Sequence, residues 1–242
     1  MRHLTAKICL TLALFILSAC GDYEKGADAY KEGDHATAFS VFQPLAENKG
    51  FLSLFYAEED VINAQSNLGE MYYKGNGVLQ DHKIAVKWWK LAAEQGHARA
   101  QSNLGFMYQY GKGIPQNHKT AVKWNTLAAE QGDASAQFNL GFMYHEGQGV
   151  PQDYKTAVKW WRLAGEQGYT RAQFNLGVMY GNGIGVKKDN VFALMWWIIA
   201  ASSGYKDAVK YREIVAKRMT PADISAAQQL ARDCVRRKYK DC

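Results

Sequence analysis

Residues 99–134 read RAQSNLGFMYQYGKGIPQNHKTAVKWNTLAAEQGDA, and three other stretches of the chain repeat this pattern at intervals of 36 residues. The positions that recur are a glutamine, a leucine, a glycine and a tyrosine, then two turn glycines, an alanine, a tryptophan and a closing glycine. Self-similarity at a fixed interval of this length is the sequence signature of a repeat array. We assign the four copies to residues 63–98, 99–134, 135–170 and 171–206.

Each copy predicts two helices joined by a glycine turn. In the quoted copy, Ala100, Leu104 and Tyr108 are four residues apart and share one face of a first helix. A glycine such as Gly111 ends a helix by adopting left-handed backbone geometry. Asn117 is a good N-cap for the second helix, and the other copies have aspartate at the same position.

The second helices contain all seven tryptophans of the chain, at two adjacent positions. Because each bulky indole recurs beside small residues, we interpret the tryptophans as core rather than as a ligand site. In the quoted copy we expect Ala121, Trp124 and Ala128 to form the buried stripe.

The regions outside the four copies are read as the ends of the array. Residues 20–62 contain a degenerate first helix pair, about 23–48, and an apolar insertion at 51–60 that either extends a helix into the core or serves as an exposed docking element. Residues 207–242 predict a C-terminal helical cap, with a helix that begins at Thr220-Pro221. Such a cap is needed because the last repeat otherwise exposes its apolar side.

The composition is that of a folded chain, with 48% hydrophobic and 21% charged residues among 242. It excludes collagen-like and highly charged disordered proteins, which lack enough apolar surface. The formal net charge is +6 and would fall to +4 if Arg2 and Lys7 leave with an export signal, which is too mild to indicate nucleic acid as a partner.

The N-terminus has the pattern of an export signal. Arg2 and Lys7 precede an apolar stretch at 8–17, which is too short for a transmembrane helix, since that needs about 20 residues. Leu17-Ser18-Ala19-Cys20 then resembles a bacterial lipobox, in which the cysteine is acylated after cleavage. We therefore predict a signal peptide at 1–19 and a lipid on Cys20. The alternative is an ordinary signal peptide cleaved near a cysteine.

These features predict that the protein is exported and lipid-anchored on the periplasmic side of a bacterial membrane. The outer membrane is preferred to the inner one because Gly21, rather than an aspartate, follows Cys20.

Of the four cysteines, Cys9 would leave with the signal peptide and Cys20 would carry lipid. Cys234 and Cys242 then remain in an oxidising compartment, where two thiols are expected to bond. Residues eight apart on a continuous helix lie about 12 Å apart, which is too far for a disulfide. The chain must therefore leave the helix after Cys234 and return through residues 238–241. We predict that this disulfide closes the C-terminal cap.

The pattern Ala-Gln-x-Asn-Leu-Gly-x-Met-Tyr-x-x-Gly-x-Gly, with the later strings Ala-Val-Lys-Trp-Trp and Ala-Ala-Glu-Gln-Gly, resembles the Sel-one-like repeat family, a relative of tetratricopeptide repeats. The resemblance covers residues 63–206. With the helix patterns above, it predicts an all-α fold, an α-solenoid of stacked antiparallel helix pairs. By analogy with tetratricopeptide arrays, the first helices lie on the concave side.

The candidate binding residues lie on the first helices. Four asparagines recur there, and an amide can hold an extended peptide because it both donates and accepts hydrogen bonds. The alternative is that the asparagines only bond to a neighbouring turn. Aromatic residues beside them either pack between repeats or form an apolar patch in a groove. The asparagines are Asn67, Asn103, Asn139 and Asn175, and the aromatics are Phe106, Tyr110, Phe138, Phe142 and Phe174.

Basic residues recur on the second helices at spacings of three or four, which places each group on one helical face. We interpret them as a solvated convex ridge, and the alternative is contact with an anionic polymer or lipid headgroups. They are Lys83, Lys87, Lys90, Lys119, Lys123, Lys155, Lys159 and Arg162.

Catalysis needs unlike groups that converge on one point, whereas a repeat array gives ladders of like groups. Ser203 and Lys206 match the serine-x-x-lysine string of penicillin-recognising enzymes, but the other strings of those enzymes are absent. The histidines lack the spacing of a metal site.

We therefore predict a non-enzymatic, monomeric scaffold without a cofactor, which binds an envelope protein or peptide on its concave face. The alternatives are a weak β-lactam or cell-wall-peptide hydrolase and a purely structural envelope lipoprotein.

Overall fold

A computed structural model describes residues 21–47, 57–240 and 242. The predicted signal peptide, Cys20 and residues 51–56 of the insertion lie outside the described residues. The chain divides into two compact units, Met1–Gln116 (unit 1) and Asn117–Cys242 (unit 2). The boundary lies between the two helices of the second repeat.

The described residues form twelve helices and no strand, which confirms the all-α, α-solenoid prediction. Unit 1 contains α1 (Asp22–Glu32), α2 (His35–Glu47), α3 (Glu58–Lys74), α4 (His82–Glu94) and α5 (Ala98–Tyr110). Unit 2 contains α6 (His118–Glu130), α7 (Ala134–Glu146), α8 (Tyr154–Gly165), α9 (Thr170–Asn182), α10 (Asn190–Ser202), α11 (Lys206–Ala216) and α12 (Pro221–Arg236). Consecutive helices of each unit pack against one another up to α11, and the last helix, α12, packs instead on α10.

The predicted helix boundaries of the repeats agree with the structure. The first helices α3, α5, α7 and α9 end at glycines with φ between 67° and 76°, a conformation that costs glycine little. The N-cap side chains of α4, α6, α8 and α10 accept backbone N–H groups of the first turn. These caps are Asp81, Asn117, Asp153 and Asp189.

The second glycine of each turn lies against the preceding second helix. A Cβ at Gly113 would lie 2.5 Å from the His82 carbonyl oxygen, and one at Gly149 would lie 2.5 Å from that of His118. No side chain fits in this space, so the turn requires glycine in both units.

A buried glutamine joins each first helix to the helix before it. The side-chain Nε2 of Gln101 donates to the Ala93 carbonyl at 3.1 Å, and that of Gln137 donates to Ala129 at 3.1 Å. Gln65 and Gln173 make the same contact. Each such bond satisfies a carbonyl in the last turn of the preceding helix, which has no partner within that helix.

One prediction about the core is wrong in detail. The buried position in the first three repeats is the one after Trp124, where Trp89 and Trp161 are buried, whereas in the fourth repeat Trp196 and Trp197 are both buried. The second repeat has Asn125 there, which is fully buried, while Trp124 is half-buried. Adjacent helical positions differ by 100° in direction, and the sequence pattern alone did not distinguish them.

The C-terminal cap contains α11 and α12. Thr220 caps α12, as predicted, and α12 packs on α10, so Ala227, Ala231 and Cys234 join the core of unit 2. Helix α12 continues to Arg236, two residues beyond the predicted exit at Cys234.

The chain then turns through Lys238 and Tyr239, which both have positive φ. The structure pairs Cys234 with Cys242, whose Cα atoms are 5.4 Å apart.

Across the described ranges, no helix combines the length and the apolar character that a membrane crossing requires.

Candidate binding pockets

Unit 1 contains a cavity of about 300 Å³ between α3, α4 and α5, which we call the unit 1 pocket. Predicted residues Asn103 and Phe106 of α5 contribute to its wall. The complete lining is Glu70, Tyr73, Lys74, Trp89, Arg99, Asn103 and Phe106.

Unit 2 contains a cavity of about 340 Å³ between α7, α8, α9 and α11, which we call the unit 2 pocket. Predicted residues Phe142, Phe174 and Asn175 meet in it. The complete lining is Phe142, His145, Glu146, Trp161, Phe174, Asn175, Val178, Met179 and Tyr211.

The two pockets are the same site of the repeat, displaced by two repeat lengths. The asparagine, the buried tryptophan and four further positions correspond one to one. The pairs are Glu70/Phe142, Tyr73/His145, Lys74/Glu146, Trp89/Trp161, Asn103/Asn175 and Phe106/Val178.

A tryptophan held against a glycine makes the inner wall of each pocket. In unit 1 the Trp89 Nε1 donates to the Ser66 carbonyl at 3.1 Å, and a Cβ at Gly69 would lie 2.5 Å from the indole ring. In unit 2 the Trp161 Nε1 donates to the Phe138 carbonyl at 3.1 Å. The glycine brings the indole against the first helix, and the hydrogen bond fixes its orientation.

The unit 1 pocket is charged. Its Glu70 side chain is only 12% exposed, and its two oxygens accept from different cations, at 2.6 Å from the Lys74 Nζ and 2.5 Å from an Arg99 nitrogen. The hydrogen bond to Glu70 raises the pKa of Lys74 above its ordinary value of 10.5.

A third cation lies over the aromatic wall of the unit 1 pocket. The Lys112 Nζ is 5.5 Å from the Tyr73 ring centroid and 5.1 Å from that of Phe106, and it donates to the Tyr73 hydroxyl at 3.2 Å. These are cation–π distances.

The unit 2 pocket is mainly apolar. Phe142 stands where unit 1 has Glu70, and the Phe174 ring lies 5.3 Å from that of Tyr211, edge to face. The polar pair is at one side, where the His145 Nδ1 is 2.8 Å from a Glu146 oxygen. The same backbone site therefore has a different chemical character in each unit.

A third cavity, of about 280 Å³, lies at the equivalent position of the next repeat, beside the C-terminal cap. Trp197 takes the tryptophan position, and Tyr211 of α11 takes the position of the asparagine. The asparagine is therefore lost where the repeat pattern ends.

The remaining predicted site residues lie outside the two pockets. The Asn67 Nδ2 donates to the hydroxyl of Tyr23 in α1 at 3.2 Å, which is a contact between helices rather than a bond to a neighbouring turn. Phe138 stacks on Tyr169 with ring centroids 5.0 Å apart. Tyr110 is 52% exposed and contacts Phe106, and Asn139 is half-buried on α7.

The basic residues predicted for a ridge are all exposed, from Lys83 on α4 to Arg162 on α8. Arg162 donates to the Tyr180 hydroxyl. Ser203 and Lys206 are both exposed at the turn between α10 and α11. Within the part of the chain that the structure describes, no group of three or more His, Cys, Asp or Glu could hold a metal ion.

The charged residues of the unit 1 pocket are not among the predicted site residues. The recurring pattern does not single out Glu70, Lys74, Arg99 or Lys112. A comparison of the first and third copies position by position would have found the exchange of Glu70 and Lys74 for Phe142 and Glu146.

A helical repeat array with recurrent surface pockets defines the class of the protein. The Sel1 repeat family model matches residues 62–97, 98–133, 134–169 and 170–205, each beginning one residue before our assignment. These matches cover more than half of the chain, which therefore belongs to the Sel1 repeat family. Sel1 repeat proteins are generally non-catalytic protein-interaction scaffolds.

Solved structures with the same repeats are similar to the chain. A Sel1 repeat protein from Oxalobacter formigenes is 33% identical with a TM-score of 0.72, over 91% of this chain and 84% of that one. A protective antigen present in uropathogenic Escherichia coli strains, with an SLR fold, is 30% identical with a TM-score of 0.66. That match covers 89% of this chain and 48% of the antigen, so the chain spans about half of its length.

An immunity protein from Pseudomonas aeruginosa, 19% identical with a TM-score of 0.51 over 88% of this chain and 80% of that one, shares the fold alone. No curated protein matches the chain.

Proposed function

We propose that this Sel1 repeat protein is a non-enzymatic scaffold of the bacterial cell envelope that binds a protein or peptide partner through the unit 1 and unit 2 pockets. The observation that carries the proposal is the recurrence of one pocket at the same repeat position in both units. The same asparagine and tryptophan recur in both pockets. Such a site suits a peptide, because a peptide repeats an amide group along its length.

The size and chemistry of the pockets support a peptide ligand. Cavities of about 300 and 340 Å³ are at the small end of ligand sites, so each suits one or two side chains rather than a cofactor. Asn103 and Asn175 each place an amide beside an aromatic wall, and an amide pairs with a peptide group through one donor and one acceptor. The partner's side chains would then enter the pockets.

The cellular location is part of the proposal and rests on the sequence. The apolar stretch at 8–17, which ends in Leu17-Ser18-Ala19-Cys20, supports export and lipid attachment. A Cys20→Ser variant should then lose its membrane association, and membrane sedimentation after a salt wash measures this. A variant that still sediments and resists salt would contradict the lipid anchor.

The bond between Cys234 and Cys242 belongs to the same proposal, because disulfides persist in oxidising compartments. We expect the C-terminal peptide to gain the mass of two alkyl groups only after reduction and alkylation under denaturing conditions. If both thiols are alkylated without reduction, the protein carries no such bond.

A crosslinking pull-down from the native cell envelope tests the binding function. We expect Asn103→Ala/Asn175→Ala to lose a specific envelope protein that the wild type captures. Lys87→Ala/Lys159→Ala, on exposed faces of α4 and α8, is the matched control and should keep it. An unchanged set of captured proteins in the asparagine variant would contradict the proposal.

A further inference from the structure

The geometry points to the unit 1 pocket as a binding site for a carboxylate of the partner. This inference rests on the proposed function and names the chemistry that one of the two pockets selects. The unit 2 pocket, with the same backbone site, selects an apolar side chain instead.

The unit 1 pocket has an excess of positive charge. Lys74, Arg99 and Lys112 surround the unit 1 pocket and outnumber its one carboxylate, Glu70, by three to one. A cleft with excess positive charge attracts an anion, because its low-dielectric walls concentrate the field of the cations.

Arg99 and Lys74 keep hydrogen-bond donors that Glu70 does not use. A guanidinium has five N–H donors, and the contact between Arg99 and Glu70 joins one nitrogen to one oxygen. The Arg99 and Lys74 side chains are 60% and 51% exposed, so a ligand can reach them. Arg99 can therefore bind a second carboxylate while Glu70 holds it in place.

Lys112 is held beside the pocket without a carboxylate partner in that contact. Contacts with the Tyr73 and Phe106 rings hold its ammonium group over the aromatic wall that also lines the pocket. Cation–π contacts position a charge without neutralising it, so Lys112 keeps its full charge for a ligand. Asn103 adds a neutral amide donor on the adjacent wall.

The contrast with unit 2 separates this inference from a purely structural role of the ion pairs. At the equivalent positions unit 2 has Phe142, Glu146 and Ile184, so it lacks the inner carboxylate and two of the three cations. The fold is therefore built at this site without the network of Glu70, Lys74 and Arg99. The charged side chains of the unit 1 pocket are therefore not required by the fold and can serve recognition.

The test is an NMR titration of the ¹⁵N-labelled protein with three small probes. N-acetylglutamate methylamide has only a side-chain carboxylate, N-acetylalanine has only a chain-terminal carboxylate, and N-acetylglutamine methylamide is uncharged. We expect at least one acidic probe to shift the Trp89 indole and Asn103 amide signals and to leave the Trp161 indole unchanged. Which acidic probe binds more tightly identifies the source of the carboxylate.

Variants decide whether the cations carry the binding. Arg99→Gln and Lys112→Gln should each weaken the acidic probe by about tenfold or more, the usual effect of losing one charge-assisted hydrogen bond. Arg171→Gln, at the register of Arg99 in unit 2 and exposed, is the matched control and should leave the affinity unchanged. Unchanged thermal unfolding by circular dichroism verifies the fold of each variant.

Equal affinity for the glutamine probe and the acidic probes, or no response to any probe, would overturn the inference. So would acidic-probe binding that Arg99→Gln and Lys112→Gln leave unchanged. These outcomes are distinct from a failure of the proposed function. If partner capture still depends on Asn103 and Asn175 while the acidic probes do not bind, only the carboxylate specificity is rejected.

Discussion

The unit 1 pocket and the unit 2 pocket have the same backbone frame and opposite chemistry. Each is formed by a tryptophan on a second helix, packed against a glycine, and by an asparagine on the next first helix. The position occupied by Glu70 in one pocket is occupied by Phe142 in the other. The comparison teaches that the recurring residues of the repeat maintain the pocket, while its variable residues set what the pocket accepts.

The largest expected effect comes from removing the buried tryptophan that each pocket has at the same repeat position. Trp161→Ala should lower the free energy of unfolding by about 3–5 kcal/mol, because it leaves a cavity the size of an indole in the core. Trp89→Ala should do the same in unit 1. Urea unfolding followed by circular dichroism measures both.

Trp160→Ala is the control on the same helix. Its side chain is half-buried, so it should cost roughly half as much or less. Equal losses for Trp160 and Trp161 would show that the buried position has been assigned to the wrong residue.

The next effect tests the close approach of indole and glycine. Gly141→Ala should destabilise unit 2 by about 1–3 kcal/mol, because its Cβ would lie 2.4 Å from the Trp161 ring and force the packed core to shift. Gly165→Ala, on α8, is the matched control. The nearest atom to its added Cβ is the end of the Leu176 side chain at 3.2 Å. Gly165 is the last residue of α8, where alanine gains less than the ~1 kcal/mol of a helix interior, so the change should be close to neutral.

The two glycine variants can be compared in thermal or urea unfolding. A Gly141→Ala protein as stable as Gly165→Ala would mean that the indole does not press on the first helix, and the common frame of the pockets would then lose its support.

A smaller effect comes from moving the chemistry of one pocket into the other. Phe142→Glu/Glu146→Lys gives unit 2 the carboxylate and the lysine of unit 1, and Arg171 already stands at the register of Arg99. We expect this variant to bind N-acetylglutamate methylamide at the Trp161 indole about tenfold or more weakly than the unit 1 pocket does, because Ile184 stands at the register of Lys112 and the third cation is still missing.

Phe142→Glu alone is the control for this transfer. It places a carboxylate near Glu146 without the added lysine, so it should be less stable than the double variant and should not bind the probe. If the double variant also fails to bind while it remains folded, the variable residues do not determine specificity.

The smallest effect is a pH dependence in the cap of α8 beside the unit 2 pocket. Hydrogen bonds from Thr156 hold the pKa of Asp153 below its ordinary value of 3.8. Its folded-state pKa is depressed, so its contribution to stability is present above pH 3.8 and is lost as the pH falls through the lower folded value. The thermal unfolding midpoint at stepped pH measures this loss.

Asp153→Asn copies Asn117, which caps the equivalent helix of the second repeat. The variant should keep the cap at pH 7 and lose this part of the acid dependence. An identical acid dependence in wild type and variant would assign it to other groups.

Most of the fold could be predicted from the sequence because the pattern recurs four times. The interval of 36 residues, the glycine C-caps and the Asp or Asn N-caps locate every helix of the repeats. The exact core position in the second helix could not be predicted, since Trp160 and Trp161 are adjacent and equally apolar. Only the packing against Gly141 distinguishes them.

The candidate site was predicted in part. Asn103, Asn175, Phe106, Phe142 and Phe174 do line the two pockets, but Asn67 bonds to Tyr23 because the degenerate first helix pair supplies a hydroxyl at that position.

A comparison of the copies can find the charged residues of the unit 1 pocket, but the sequence could not show that they meet. Arg99 and Glu70 are 29 residues apart and on different helices, so no local spacing brings them together. The packing of α3 against α5 places them in contact.

Site-specific photocrosslinking in living cells tests the central claim most directly. The photoreactive residue p-benzoylphenylalanine replaces an aromatic side chain with little change of shape, so it can be placed at Phe106 and at Phe142. Leu91 and Leu163, which are exposed on the second helices, are the control positions. The account predicts that both pocket positions crosslink the same envelope protein and that the control positions do not. Crosslinks that form equally from the control positions, or from neither pocket, would contradict it.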